Sequence, residues 1–173
     1  MPASSALLIS TYELGHQPFG LASPAAWLRA EGIETHLADL AKEKLDESVL
    51  RSAGFVAFHL PMHTATRLAA PVIEIVRAVS PGARFCAYGL FAPLNEEWLR
   101  SIGVDDVIGG EFAAELAAIA REACGAGTRT VHETAGLKTR PTSASGNLPR
   151  LRFLVPDRAG LPPLSRYSTL RLA

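Results

Sequence analysis

Side chains able to hold a ligand gather at a few places in this chain, always just after a short apolar run. Thr11 to Gly20 reads Thr-Tyr-Glu-Leu-Gly-His-Gln-Pro-Phe-Gly, which sets Tyr12, Glu13, His16 and Gln17 among glycines that let backbone come close. His59, Met62, His63 and Thr64 follow a second apolar run, Tyr88, Gly89 and Phe91 a third, and Gly109, Gly110 and Glu111 a fourth. Hydroxyls, imidazoles, carboxylates and aromatic faces together suit a large, flat, amphipathic ligand whose tail enters the sheet edge. His16 and His63 are candidate contact residues. His59 reads equally as a satisfied buried imidazole, and Tyr88 and Phe91 as core aromatics. Glu111, after two glycines at a helix start, is expected chiefly to cap backbone amides. No nucleophile–base pair with triad-like spacing stands out, which leaves a hydrolase without support.

These residues need elements to converge them. Ala6–Ser10 has strand length, Leu21–Ala30 has helical spacing, and 33–39 alternates like a strand. A short helix is expected over Lys42–Ser52, with Leu45, Val49 and Leu50 inward. A third strand is expected over Phe55–Leu60, nearly all apolar as in a sheet covered on both faces. The spacing then predicts a helix over Thr66–Val79 with Leu68, Val72, Ile75, Val76 and Val79 on its core face, or one that starts only at Pro71. A fourth strand over Ala83–Tyr88, a helix from Asn95 to about Ile102 with Trp98 and Leu99 inward, a fifth strand over Val104–Ile108 and an Ala-rich helix from Ala113 to Cys124 complete the series. Asp105-Asp106 is read as a turn. Strands alternating with helices imply a parallel α/β sheet with right-handed crossovers. A flavodoxin-like (Rossmann-type) doubly wound five-stranded sheet of order 2-1-3-4-5 fits the length, with ligands expected at the carboxyl ends of the strands. The composition divides the chain into an α/β domain over 1–124, a Gly/Ser/Thr/Arg-rich linker over 125–150 and a Pro/Arg-rich tail over 151–173, mostly irregular, in which 151–155 forms a short strand or extended arm.

Charge and cysteines exclude several classes. Residues 1–124 carry 9 basic and 15 acidic side chains and the remainder 8 and 2, so the expected domain is acidic and gives no reason to expect nucleic acid. Cys86 and Cys124 form neither a disulfide framework nor a metal motif, and Cys86 reads as a buried small hydrophobe. No stretch approaches the ~18 apolar residues of a membrane span, and the first residues lack a signal peptide's basic start, so a cytoplasmic protein is expected. A phosphate-accepting signalling domain wants an aspartate at the end of the third strand, where His59 stands. A flavodoxin wants a Ser/Thr-rich phosphate loop after the first.

The order of the pieces resembles the cobalamin-binding domain at the amino terminus of many radical S-adenosylmethionine (SAM) enzymes. The matching pieces are Tyr12-Glu13 with Gln17-Pro18-Phe19-Gly20-Leu21-Ala22, then Pro61-Met62-His63-Thr64, then Gly109-Gly110-Glu111. The resemblance covers about residues 6–124, and Pro156–Tyr167 is similar to the bridge those enzymes place before their catalytic domain. It implies a corrinoid held at the rim by Tyr12, Glu13, His16, Gln17, His59, Met62, His63, Thr64, Tyr88, Gly89, Phe91, Gly109, Gly110 and Glu111. The broader family uses Asp-x-His-x-x-Gly, Ser-x-Leu and Gly-Gly motifs. Here Glu13, His16 and Gly20 echo the first with different spacing, His59 stands in place of the serine, and Tyr88-Gly89 replaces Gly-Gly. No cobalt-ligating histidine is therefore carried over, and the corrinoid is expected to bind without a protein ligand beneath it. The chain lacks the Cys-x-x-x-Cys-x-x-Cys needed for a radical SAM iron–sulfur cluster. It is expected to position a corrinoid for a radical SAM domain or protein outside this chain. The alternative is an apo scaffold that docks on a partner enzyme through its tail and binds no corrinoid.

Overall fold

The computed structural model describes residues 5–125 and 153–168. Five strands form one parallel sheet: β1 (Ser5–Ser10), β2 (Thr35–Asp39), β3 (Ala53–His59), β4 (Arg84–Tyr88) and β5 (Asp106–Ile108), in the order β2-β1-β3-β4-β5. The helices are α1 (Phe19–Ala30), α2 (Glu47–Ser52), α3 (His63–Val79), α4 (Glu96–Ser101) and α5 (Ala113–Cys124), with single 3₁₀ turns at Pro93–Asn95 and Leu164–Arg166. The flavodoxin-like order expected from the alternation is the order observed.

Strand alternation sorts the core into two layers. Leu7, Ile9, Val56, Phe58, Phe85 and Ala87 meet Ala69, Ile73 and Val76 of α3 and Leu99 of α4. Ala6, Leu8, Phe55, Ala57, Cys86 and Tyr88 meet Leu21, Ala25 and Leu28 of α1 and Leu116, Ala117 and Ala120 of α5. β1 and β3 are buried along nearly their whole length because both faces are covered. Cys86 is fully buried, as expected, and burial raises its thiol pKa well above the ordinary value.

Several expectations are corrected. α2 begins at Glu47 rather than Lys42, because Asp46 accepts from the Ser48 and Val49 amides and so starts the helix there. α3 does not wait for Pro71: it runs unbroken from His63, with Pro71 on its exposed side. Its inner face is Ala65, Thr66, Ala69, Ile73 and Val76, while Leu68 and Ile75 point outward. Val72, Val76 and Val79 pack against the core as expected, and the small Ala65 and Ala69 fill the inner positions nearer the start of the helix. Trp98 is likewise exposed and Leu99 alone of that pair is buried. Asn95 donates no cap to α4; its amide reaches back to the Phe91 carbonyl at 2.7 Å. Asp105 and Asp106 are not a simple turn. Asp105 accepts from the Phe85 amide at 2.7 Å, and Asp106 takes a two-pronged bond from Arg84 at 2.6 and 3.0 Å.

Residues 126–152, which hold all but Gly125 of the expected linker, lie outside the described residues. Of the expected strand or arm at 151–155, residues 153–155 are described and form no strand. From Asp157 the chain folds back onto the domain as a strap. The Asp157 amide donates to the Ala22 carbonyl at 2.9 Å, its carboxylate pairs with Arg29 at 2.8 Å, and Tyr167 is buried at the far end.

Candidate functional site at the carboxyl rim

Parallel strands end together, so the loops after β1, β3, β4 and β5 leave one edge of the sheet. Register places Asp39, Ser10, His59, Tyr88 and Ile108 side by side across all five strands at that edge. Alternation turns Ser10, His59 and Tyr88 toward α1 and α5, the layer that holds Leu8, Ala57 and Cys86.

That layer is filled. His59 is 6 % exposed, with Tyr88 and Phe112 packed around it at ring-centroid distances of 5.2 and 6.0 Å; Tyr88 and Phe112 meet at 4.9 Å. Gly20, in the first turn of α1, closes the stack from above: a β-carbon there would lie 2.0 Å from the imidazole Cε1. Only glycine lets α1 start this close to β3. Tyr88 donates its hydroxyl to the Gly20 carbonyl at 2.8 Å. Burial is the main cause of a phenol pKa raised well above its ordinary value, which keeps that donor protonated.

One polar seam remains beside the stack. The Glu13 carboxylate lies 3.4 Å from His59 Nδ1, outside hydrogen-bond geometry, and Ser10 sits next to His59 in register. Ser10 Oγ, Glu13 Oε2 and His59 Nδ1 are all buried atoms without a hydrogen-bond partner. Glu13 is partly exposed, so this seam runs from the buried imidazole to the rim surface.

The expected site residues thus divide by depth. His16, His63, Thr64, Gly110 and Glu111 are exposed on the rim, and Tyr12, Met62 and Gly109 are half-buried there. His59, Tyr88 and Gly89 lie beneath it. Phe91 belongs to the opposite layer, packed against the α3 side of the core. Gln17 faces the strap: its amide donates to the Pro162 carbonyl at 3.0 Å and its carbonyl oxygen accepts from Arg158 at 2.8 Å. Glu111 makes no cap; α5 starts from Phe112, and no side chain caps it. A ligand tail entering the sheet edge beside His59 and Tyr88 would meet packed side chains.

Sequence reasoning missed three contributors: Ser10 as a polar strand end, Phe112 as the third aromatic, and the large apolar side chains of the rim. Leu14 and Leu90 are 60 and 72 % exposed on the loops leaving β1 and β4, and Phe19, the first residue of α1, is 56 % exposed. For Leu14 the signal available was an apolar residue inside an otherwise polar loop; the loop after β4, Gly89-Leu90-Phe91-Ala92-Pro93, carries no polar side chain to set Leu90 apart. Among the described residues no group of three or more His, Cys, Asp or Glu could hold a metal ion, and no helix is long and apolar enough to cross a membrane.

No protein-family model matches the chain, and no curated protein matches it. Among solved structures it is similar to a response regulator protein from Burkholderia pseudomallei, with TM-score 0.51, 16 % identity, and 70 % of this chain and 66 % of that chain covered. It is also similar to a CheY-like response regulator receiver domain protein from Methanospirillum hungatei, with TM-score 0.48, 14 % identity, and 69 % and 92 % covered. A third is a diflavin flavoprotein A3 from Nostoc, with TM-score 0.44, 11 % identity, and 71 % and 89 % covered. The chain spans just under two thirds of the first of these. At such identities the likeness is one of fold, the flavodoxin-like architecture that many unrelated functions share.

Proposed function

We propose that this chain is a corrinoid-binding module of the kind found before radical SAM catalytic domains, presenting a corrinoid at the carboxyl rim to a catalytic domain outside the chain. One observation carries the reading: Leu14 and Leu90 on the loops after β1 and β4, with Phe19 at the start of α1, expose large apolar side chains at the rim, amid exposed His16, His63 and Thr64. An apolar surface with a polar fringe at that edge suits a broad, flat ligand with amide groups around its margin. When bound, a corrinoid supplies a cobalt centre able to carry a methyl group. The chain's own part is to hold the disc and orient its edge.

The packed layer below the rim limits how the ligand sits. His59, Tyr88, Phe112 and Gly20 leave no room for a nucleotide tail between β1 and β3, so in this reading the disc lies on the rim. His59, fixed beneath Gly20, does not reach it. Titration of the purified chain with cobalamin and with cobinamide, which lacks the nucleotide, tests this. Corrin absorbance that co-elutes with protein on gel filtration, with the two affinities within about threefold, is expected. A colourless protein fraction after incubation with excess of either would sink it.

A second reading has its own support. The closed interior also suits an apo scaffold that docks on a partner enzyme through its tail and binds no corrinoid. Capture of a radical SAM protein by the chain without any corrin uptake would favour that reading over the first.

A further inference from the structure

We infer that the strap, Asp157–Ser168, is a working part of the rim: it sets the conformation of the Glu13–Gln17 loop, with Gln17 as the two-way clamp between them. The inference is independent of which ligand the rim takes.

The loop is built to need such a hold. Its tip is a tight turn in which the His16 amide donates to the Glu13 carbonyl at 2.8 Å, with Leu14 at φ 52° and Gly15 at φ 81°. Leu14 is the one non-glycine residue with positive φ among the described residues, and a branched apolar side chain has no local hydrogen bond to offset that conformation. The strap supplies the stabilisation from outside. The Ser168 amide donates to the Gly15 carbonyl at 2.9 Å, and a β-carbon on Gly15 would lie 2.6 Å from the Ser168 hydroxyl and be strained at this positive φ, so a side chain there disturbs the contact. Gln17 then bonds Pro162 with its amide and Arg158 with its carbonyl.

The same segment grips the next loop. Arg166 bonds the Lys42 carbonyl, the Lys42 ammonium lies 5.4 Å from the Tyr167 ring centroid, and Tyr167 is buried beside Asp39. The loops after β1 and β2 are thereby tied together through residues more than a hundred positions away in sequence. Two tightly coupled partners must respond to each other, so loosening either end is expected to loosen the other.

Hydrogen–deuterium exchange and trypsin cleavage on the full chain test this coupling in both directions. Tyr167→Ala should raise tryptic cleavage after Arg158 at least tenfold and speed exchange of the His16 amide at least fivefold, with β1 and β3 amides unchanged. Gln17→Leu should give the same pattern, and it guards against a Tyr167→Ala protein that fails to fold. Gly15→Ala should speed cleavage after Arg166. Rapid cleavage of the strap with unchanged His16 exchange would overturn the inference. So would cleavage after Arg158 in the unaltered protein at the rate seen in denaturant, or a Gly15→Ala strap as protected as before.

Discussion

The hydroxyl of Tyr88 is bonded to the Gly20 carbonyl of α1, whose regular partner within the helix is missing. In a regular helix the N–H of residue 24 would meet the carbonyl of residue 20, and residue 24 is proline. Tyr88, from the end of β4, supplies the missing donor at 2.8 Å. A proline inside a buried helix is thus tolerated because a strand two positions away in the sheet completes the hydrogen-bond count. The same bond ties the first turn of α1 to the end of β4.

Tyr88→Phe keeps the ring and removes that donor. A buried carbonyl left unsatisfied costs about 1–3 kcal/mol, so urea unfolding should show a loss in that range at pH 7. The pH dependence carries the sign. Burial raises the folded-state pKa of Tyr88 above the unfolded value of about 10. The contribution is therefore complete below pH 10 and declines above it, as the unfolded chain ionises first. Cys86 and Tyr167, raised for the same reason, add to the alkaline slope of both proteins. The gap between the original protein and Tyr88→Phe should narrow above pH 10; a constant gap would show that Tyr88 is not shielded.

Gly20→Ala places a methyl group into the His59 ring, at 2.0 Å from Cε1. Overpacking of this kind costs about 1–3 kcal/mol, and the clash is with a side chain held between Tyr88 and Phe112. His59→Ala alone should also destabilise by opening a cavity. The double variant should be more stable than the sum of the two losses predicts, by 1 kcal/mol or more. Strict additivity in thermal or denaturant unfolding would mean that α1 shifts away instead.

The sheet was legible because its strands are short apolar runs separated by helical spacing and Gly/Pro breaks, and two-sided burial leaves little else for Phe55-Val56-Ala57-Phe58 to do. The face of α3 was misread in part: Val72, Val76 and Val79 pack on the core as expected, but Leu68 and Ile75 outweigh Ala65 and Ala69 in any count of apolar size and yet lie outside while the alanines are buried. Asp106 and Arg84 are 22 positions apart, and only pairing of β4 with β5 brings them together. At the rim, the candidate loops were visible, but depth was not. Whether Tyr88 faces a ligand or a helix depends on Pro24 and Gly20, which nothing near Tyr88 announces. Gln17 read as a ligand contact, and its partners Arg158 and Pro162 lie across 141 and 145 positions of chain.

Arg84 joins β4 to β5 through Asp106 and to α5 through Glu122 at 3.1 Å, and these carboxylates raise its pKa still further. The pair is over a third exposed on the arginine side, so solvent screens it. Asp106→Asn should cost about 0.5–1 kcal/mol at low salt. Most of that difference should vanish in 1 M NaCl, where the screening length falls to about 3 Å. A loss unaffected by salt would point to the hydrogen bonds rather than the charges.

The rim itself is open to a test that separates binding from folding. Leu90 and Leu14 lie on different loops and are well exposed, so replacing either by aspartate removes no core packing and should change stability by no more than about 0.5 kcal/mol. Aspartate also tolerates the positive φ of residue 14 better than leucine does. If a corrin disc covers these side chains, each contributes apolar burial of order 1.5–3 kcal/mol, which converts to a tenfold or greater loss of affinity at about 1.4 kcal/mol per decade. Cobinamide titration should therefore weaken at least tenfold in Leu90→Asp and in Leu14→Asp. Ile75→Asp, on the outer side of α3 and equally exposed, should leave it unchanged. Equal effects from all three substitutions would place the ligand elsewhere or make its retention non-specific.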